Sequence, residues 1–259
     1  MLIIGTVEDA VAAGRRFRSE GGKFKGDTDY IFETSPGEAL GPQAFLVRQA
    51  ANWALPPHFH MQFQIQVVVG GSAKLGRHHL EPISVHYVSP QSAYGPLIAG
   101  PQGLEYLTLR VLTDKGAWYM PESRPMMKSG LFKEQVTGDL HIGVNRAGER
   151  TIIEIREDGL GAWGYTAAAG EGVRCEQRSS MAGRFYIVAA GSFTLGDRML
   201  PRHACVYWSP PDPSPHFEAL ADNSELTVVQ FPQQALLTDV PPELRRAPAQ
   251  LPAQVKVDV

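Results

Sequence analysis

An internal repeat constrains the fold of this chain more than any other feature of its sequence. The segment VVVGGSAKLG at 67–76 matches IVAAGSFTLG at 187–196, so that Gly71 recurs as Gly191. The spacing of 120 residues continues without a gap, and the later identities are Leu80 with Leu200, Tyr87 with Tyr207, Ser89 with Ser209, Pro90 with Pro210 and Glu105 with Glu225. Because a repeated segment of this length is one structural unit used twice, we predict two tandem domains of similar fold.

Within each copy, short runs of β-branched and aromatic residues are separated by glycine and proline, a pattern that predicts strands. The predicted strands cover 44–49, 63–69, 72–75, 84–88 and 105–112 in the first copy, and 151–156, 163–167, 185–189, 192–195, 204–208 and 226–231 in the second. Helix is a minority: the best amphipathic candidate is 7–17, and 121–132 has room for one or two turns. Many short strands repeated twice predict an all-β chain of tandem jelly-roll barrels, also called double-stranded β-helices.

Turn residues place the junction between the two units. The segment WYMPESRPMMKSG supplies them between 112 and 140. We therefore predict an N-terminal barrel with a leading segment at 1–125 and a C-terminal barrel at 126–240. The proline-rich remainder, 241–259, is predicted to be a surface tail.

Composition excludes several classes of partner. The chain has 259 residues, 43% of them hydrophobic and 20% charged, as expected for a globular protein with either one large core or two. Its net charge of −3 and its scattered Lys and Arg provide no basic surface for nucleic acid. No apolar run is long enough for a membrane span, and the opening MLIIGTVEDAVAAGRR lacks a basic leader region, so we expect a cytoplasmic protein without a membrane partner. Cys175 and Cys205 are expected to be reduced core residues, with one disulfide as the alternative.

Two histidines mark the first copy as the one that carries chemistry. His58 and His60 stand in PPHFHMQFQIQVVVGG, and residues i and i+2 of a strand face the same side. Both imidazoles would then point into one barrel. Imidazole suits Fe, Mn, Ni, Cu or Zn, so a divalent metal site is one interpretation and a metal-free polar pocket is the other. No P-loop and no GxGxxG after a strand occurs, so we expect no nucleotide cofactor.

This segment resembles the first motif of the cupin superfamily, in which two histidines separated by one residue and then a carboxylate precede a glycine that closes a hairpin. Gly70 and Gly71 match the glycine, and Gln64 stands at the carboxylate position. The resemblance implies a two-domain cupin, or bicupin, with His58, His60 and Gln64 as ligands of one divalent ion, namely Fe, Mn, Ni or Zn. It also places Gly95 where the family has a third histidine, with His86 as a distant substitute.

A second set of residues is predicted to contact a substrate. Gln62, Gln64 and Gln66 follow the parity of the histidines and so face the barrel interior, the alternative being a solvated outer face. The opposite parity, at 63, 65 and 67, is apolar and offers a surface for association. The remaining candidates are Tyr94, Tyr106 and Arg110. Arg110 would hold a carboxylate or phosphate, and a surface salt bridge is the alternative for this arginine.

The second copy has Arg178, Ser180 and Arg184 at the positions of His58, His60 and Gln64, so a cation site is excluded there, and packing or anion binding remains. The leading hypothesis is a bicupin whose first barrel binds a small polar organic molecule, with a metal-dependent dioxygenase, isomerase or lyase reaction as its enzymatic form. The alternative is a binding or sensor protein without metal. Both a monomer and a homodimer are consistent with the sequence.

Overall fold

The computed structural model describes residues 1–33, 41–114, 116–129, 131, 133–138, 149–175, 181–236 and 255–256. These residues form two β-barrels, which confirms the all-β prediction. The described helices are the α-helix Val7–Ala12 and the 3-10 turns Arg124–Met126 and Gln233–Leu236. Within this described part, no helix has the length and apolarity needed to cross a membrane.

The first barrel is built mainly from one large sheet. Its strands are β2 Arg16–Gly21, β3 Phe24–Glu33, β4 Gln43–Gln49, β5 Ala54–Leu55, β6 His58–Phe59, β7 Gln64–Leu75, β8 His78–Leu80, β9 Val85–Val88, β10 Leu97–Arg110, β11 Trp118–Tyr119 and β12 Gln135–Gly138. The main order is β12-β9-β7-β10-β4-β3-β2, with β5 beside β10 and β8 beside β7. Strands β6 and β11 pair separately.

The second barrel consists of two sheets. Its strands are β1 Leu2–Gly5, β13 Glu149–Ile153, β14 Gly161–Ala167, β15 Gly172–Arg174, β16 Gly183–Ala190, β17 Phe193–Leu195, β18 Arg198–Leu200, β19 Cys205–Trp208, β20 His216–Ala219 and β21 Ser224–Phe231. The six-stranded sheet has the order β1-β19-β16-β21-β14-β13, and the four-stranded sheet has the order β15-β20-β17-β18. Strands β9 and β19 begin and end 120 residues apart, as do β8 and β18, so the sequence repeat is also a structural repeat.

The glycine pair of the histidine motif does not close a hairpin. Strand β7 runs through it to Leu75, and the pairing with β10 shifts register there. Gly71 has a φ of +67°, and a Cβ atom at this position would lie 2.1 Å from the carbonyl oxygen of Gly103. The prediction of separate strands at 63–69 and 72–75 was therefore wrong, because a glycine bulge bends one continuous strand.

The predicted helix at 7–17 is shorter than expected. Thr6 caps it by accepting a hydrogen bond from the Asp9 amide, and the helix ends at Ala12 before Gly14, whose φ is +60°. The chain then enters the β2–β3 hairpin, where Arg16 pairs with Asp29 at 2.6 Å and Arg18 with Asp27 at 2.8 Å. These alternating charges suit a strand with one solvated face better than a helix.

Each predicted domain contributes a short strand to a sheet of the other one. Strand β1 pairs with β19 of the second barrel, and β12 pairs with β9 of the first barrel. A further strand, β22 at Val255–Lys256, pairs with β2, and the rest of the predicted tail at 241–259 lies outside the described residues. The domain limits stay a prediction, to which the structure adds this exchange of edge strands.

The largest hydrophobic core lies between the two barrels rather than inside either one. It contains Ile65 and Val67 of β7 together with Phe185 and Ile187 of β16, and all four are fully buried. The rings of Phe32 and Phe185 stack with centroids 6.2 Å apart. The second barrel thus covers the apolar face of β7. Each barrel interior has its own smaller core. Cys175 and Cys205 are both buried, as predicted for core residues, and no disulfide joins them.

Candidate functional site

A cavity of about 360 Å³ lies inside the first barrel. All the predicted site residues except Gln62 line this cavity. They are His58, His60, Gln64, Gln66, Tyr94, Tyr106 and Arg110. Gln62 is buried but does not line the cavity, because it lies in the bend between β6 and β7, where the alternation of the strand is interrupted. Sequence reasoning missed Gln43, Asp114, Gly116 and Tyr119, which also line it.

His58 is held as a neutral imidazole. Its Nδ1 lies 2.8 Å from the Pro56 carbonyl oxygen, which only accepts, so Nδ1 carries the proton. Its Nε2 therefore accepts a hydrogen bond from the Tyr94 hydroxyl at 3.0 Å. Burial, together with the nearby charge of His60, lowers the pKa of His58 to about 3.

Gln64 joins the tyrosine to an arginine. Its side-chain amide donates to the Tyr94 hydroxyl oxygen at 2.7 Å, and its carbonyl accepts from Nη2 of Arg110 at 2.5 Å. A carboxylate at this position would lack the N–H donor that bonds the Tyr94 hydroxyl oxygen, so an amide suits this network better than a carboxylate. Burial also raises the pKa of the Tyr94 hydroxyl, which keeps it protonated as a donor to His58.

His60 is fixed by the loop that follows β10. Its Nδ1 lies 2.8 Å from the Gly116 carbonyl oxygen and 3.2 Å from Oδ2 of Asp114. These two neighbours are acceptors and the Gly116 carbonyl is the nearest, so this nitrogen also carries the proton. Nη2 of Arg110, which is 3.2 Å from the same nitrogen, is then a neighbouring charge and not a hydrogen-bond donor to it. Burial and the charge of Arg110 lower the pKa of His60. For Asp114 burial alone would raise the pKa, but the hydrogen bond from His60 and the Arg110 charge outweigh it and keep the carboxylate ionised.

Arg110 is an internal residue and not a surface one. Its side chain is 2% exposed, which rules out the surface salt bridge considered from the sequence. Its Nη1 donates to the side-chain oxygen of Gln43 at 2.5 Å, and the guanidinium lies over the ring of Phe45 at 5.3 Å. The cavity therefore has a fixed positive charge in its wall, between two amide side chains.

Among the described residues, the other histidines do not line the cavity. His86 is buried, bonds Thr137 through Nδ1 at 3.0 Å and packs against the ring of Tyr94 at 5.3 Å. Burial lowers its pKa to about 4. In the second barrel, Arg184 is fully buried, His216 is exposed, and Arg178 and Ser180 lie outside the described residues.

The residues present fit a divalent metal ion poorly. In the described ranges, no three side chains of His, Cys, Asp or Glu are grouped so that they share an ion. The Nε2 atom of His58 is bonded to Tyr94, and the carbonyl oxygen of Gln64 is bonded to Arg110. The guanidinium of Arg110 lies 3.2 Å from His60 and would repel a second cation.

Two tandem barrels of this topology, with a cavity in the first, define the fold of two-domain cupins, and this confirms at the level of fold the resemblance seen in the histidine motif. No protein-family model matches the sequence, and a search of curated proteins finds no match.

Solved structures nevertheless resemble most of this chain. An oxalate decarboxylase OxdC variant from Bacillus subtilis matches with a TM-score of 0.61 and 12% identity, covering 90% of this chain and 77% of that one. The bacterial pirin YhhW from Escherichia coli, in complex with nickel(II), matches with a TM-score of 0.54 and 11% identity, covering 90% and 99%. Quercetin 2,3-dioxygenase from Acinetobacter baumannii matches with a TM-score of 0.52 and 11% identity, covering 84% and 77%. Identities this low show a shared fold alone.

Proposed function

We propose that the first barrel binds a small polar organic molecule. The observation that carries this proposal is the cavity of about 360 Å³, whose size lies within the range of small-molecule sites. Most such sites combine apolar walls with a few fixed polar groups. This cavity has both, since Phe45, Val47 and Leu55 line it together with His60 and Arg110.

The polar wall is preorganised for binding. Arg110, Gln64, Tyr94 and His58 form one chain of hydrogen bonds that ends at the Pro56 carbonyl. Each side chain in this chain is buried, so its rotamer is fixed before a ligand arrives. A ligand that bonds to these groups would therefore lose little free energy to their ordering.

Filling the cavity should abolish binding. Thr108 lies on β10, is buried and lines the cavity. We expect Thr108→Trp to remove any small molecule that co-purifies with the protein in native mass spectrometry, and to remove the rise in melting temperature that ligands cause. Thr108→Val, which keeps the volume, is the matched control and should retain both. A ligand that stabilises the Trp variant as much as the parent protein would place binding elsewhere.

A metal-dependent dioxygenase, isomerase or lyase reaction is the second candidate function. It is favoured by the two neutral imidazoles, whose ring centroids are 5.2 Å apart. Proteins of similar fold are described with nickel(II), with Mn(II) centres or as a dioxygenase. The donor set argues against it, because Arg110 supplies positive charge beside His60.

Elemental analysis separates these two candidates. We expect the dialysed protein to contain Fe, Mn, Ni and Zn far below one ion per chain, because the described cavity offers two imidazoles next to a guanidinium. The His58→Ala/His60→Ala double variant should show the same low content. Near-stoichiometric metal in the parent protein that is lost in the double variant would replace the binding proposal with a metalloenzyme.

A further inference from the structure

The guanidinium of Arg110 lies in the cavity wall without an anion in contact. Its hydrogen-bond acceptors are the neutral side-chain oxygens of Gln43 and Gln64. Its Nε atom is buried and has no hydrogen-bond partner among the described residues. Asp114 is the nearby carboxylate, but its Oδ2 accepts instead from the Met61 amide at 3.0 Å and faces His60. A buried cation in such surroundings is costly unless another group compensates it.

The second barrel contains the same pair of side chains with its members exchanged. Gln64 and Arg110 recur, 120 residues later, as Arg184 and Gln230. Arg184 and Gln230 are directly opposite each other on β16 and β21, and Nε of Arg184 donates to the Gln230 side-chain oxygen at 2.7 Å. Both barrels thus carry one buried arginine bonded to a glutamine at the same cross-strand position.

The two arginines differ in what packs against the guanidinium. Arg184 lies between two aromatic rings, at 5.2 Å from Trp163 and 5.5 Å from Trp208, and it is fully buried. Arg110 has the ring of Phe45 on one side, while the position equivalent to Trp208 is the smaller Val88. In the second barrel, protein side chains occupy the space around the guanidinium. In the first barrel, part of that space is the cavity.

We propose that Arg110 binds the carboxylate of a small organic acid, so that the cavity of the first barrel is an anion site. This inference rests on the proposed function and names its ligand class. Arg110 lines the cavity and gives one N–H group each of Nη1 and Nη2 to Gln43 and Gln64, so the guanidinium has further N–H groups with which to bond an oxyanion. The aromatic and apolar wall, with Phe24, Tyr30 and Phe45, contacts the remainder of the acid.

The charges of the site favour a carboxylate over a phosphate. Arg110 is the one Lys or Arg side chain that lines the cavity in the described structure, and ionised Asp114 contacts the same Nδ1 atom of His60 that Arg110 approaches at 3.2 Å. A phosphate carries up to two charges and three acceptor oxygens, and this wall provides only one cation. A monocarboxylate matches that single guanidinium in charge and in geometry.

A pair of ligands that differ in charge alone tests this inference. Benzoate and its neutral counterpart benzamide would be titrated into the full chain by calorimetry at low ionic strength, and inorganic phosphate would be titrated separately. We expect benzoate to bind about tenfold or more tightly than benzamide, because a hydrogen bond to a charged group contributes about 1.5–3 kcal/mol.

Arginine variants assign the effect to one barrel. Arg110→Gln should weaken benzoate binding roughly ten- to hundredfold and remove most of the preference for benzoate over benzamide. Arg110→Lys keeps the positive charge but loses the bidentate geometry of the guanidinium, so its effect should lie between the two. Arg184→Gln is the matched control, because it removes the equivalent buried guanidinium in the other barrel and should not change the preference.

Three outcomes would overturn the inference. These are equal affinity for benzoate and benzamide, no benzoate binding at millimolar concentration, and phosphate binding tighter than that of benzoate. In each case the proposed function would still stand if neutral compounds bind the parent protein but do not bind the Thr108→Trp variant. If no compound of either kind distinguishes the parent protein from Thr108→Trp, the proposed function fails as well.

Discussion

The free energy of unfolding should fall steeply as the pH is lowered from 6.5 towards 4. Burial lowers the pKa of His58 to about 3 and that of His86 to about 4, from an ordinary value of 6.5. Below pH 6.5 these histidines bind protons in the unfolded chain but not in the folded protein. The free energy of unfolding therefore decreases as the pH falls, until the pH reaches the pKa of each histidine in the folded state. Each such histidine contributes a slope of about 1.4 kcal/mol per pH unit.

A substitution taken from the repeat isolates one of these groups. The second barrel has Val206 where the first has His86, so His86→Val introduces the residue that the duplicated position already accommodates. Urea unfolding at pH 7, 5.5 and 4.5 should show that this variant loses less stability in acid than the parent protein, by about 2 kcal/mol at pH 4.5. His79→Val, at an exposed position, is the control and should keep the parent slope. An unchanged slope in His86→Val would contradict the neutral, buried state of His86.

Phe185→Ala should destabilise the protein by about 3–5 kcal/mol, the usual cost of removing a buried phenyl ring. The ring lies in the core between the barrels, stacked on Phe32, with centroids 5.0 Å from Tyr207 and 5.7 Å from Phe231. The loss would appear in urea unfolding followed by tryptophan fluorescence and by circular dichroism. Because residues of both barrels form this core, we expect the two signals to change together.

A half-buried phenylalanine provides the comparison. Phe17 lies on β2 and contacts Tyr30 edge-to-face at 5.6 Å, away from the core between the barrels. Phe17→Ala should cost about 1 kcal/mol, as expected for a partly exposed side chain. If Phe185→Ala were no more harmful than Phe17→Ala, the packing of one barrel on the other would contribute little to stability.

The fold could be predicted from the sequence because the repeat provides each weak strand pattern twice, at equivalent positions. The run at 204–208 alone does not distinguish a strand from other buried segments, but its match with 84–88 supports one assignment for both, and β9 and β19 are the result. The hairpin at 16–33 has no matching segment in the second copy of the repeat. The predicted helix at 7–17 therefore ran into its first strand, because the helical periodicity was the remaining signal there. A local signal was present, since Arg16 and Arg18 face Asp29 and Asp27 across the turn.

The site residues that lie close together in the sequence could be predicted from it. The spacing of His58 and His60 places both rings in one cavity, as expected for i and i+2. Asp114 bonds His60 across 54 residues, and such a contact depends on how β10 leaves the barrel. The exchange of Gln64 and Arg110 for Arg184 and Gln230 was visible in the repeat, but its meaning needed the register of the strands. Which residues hold a ligand stays a prediction.

The exchange of edge strands affects the order in which a nascent chain can fold. Strand β1 leaves the ribosome long before its partner β19, which lies in the second barrel. Until then β1 has no partner in its native sheet, and an exposed strand edge is a site for wrong pairing. Similarly, β9 gains its neighbour β12 only after the residues between these two strands, 89–134, have emerged. The two copies of the duplicated unit are therefore not free-standing modules, and a cut between them would leave each half with one incomplete sheet.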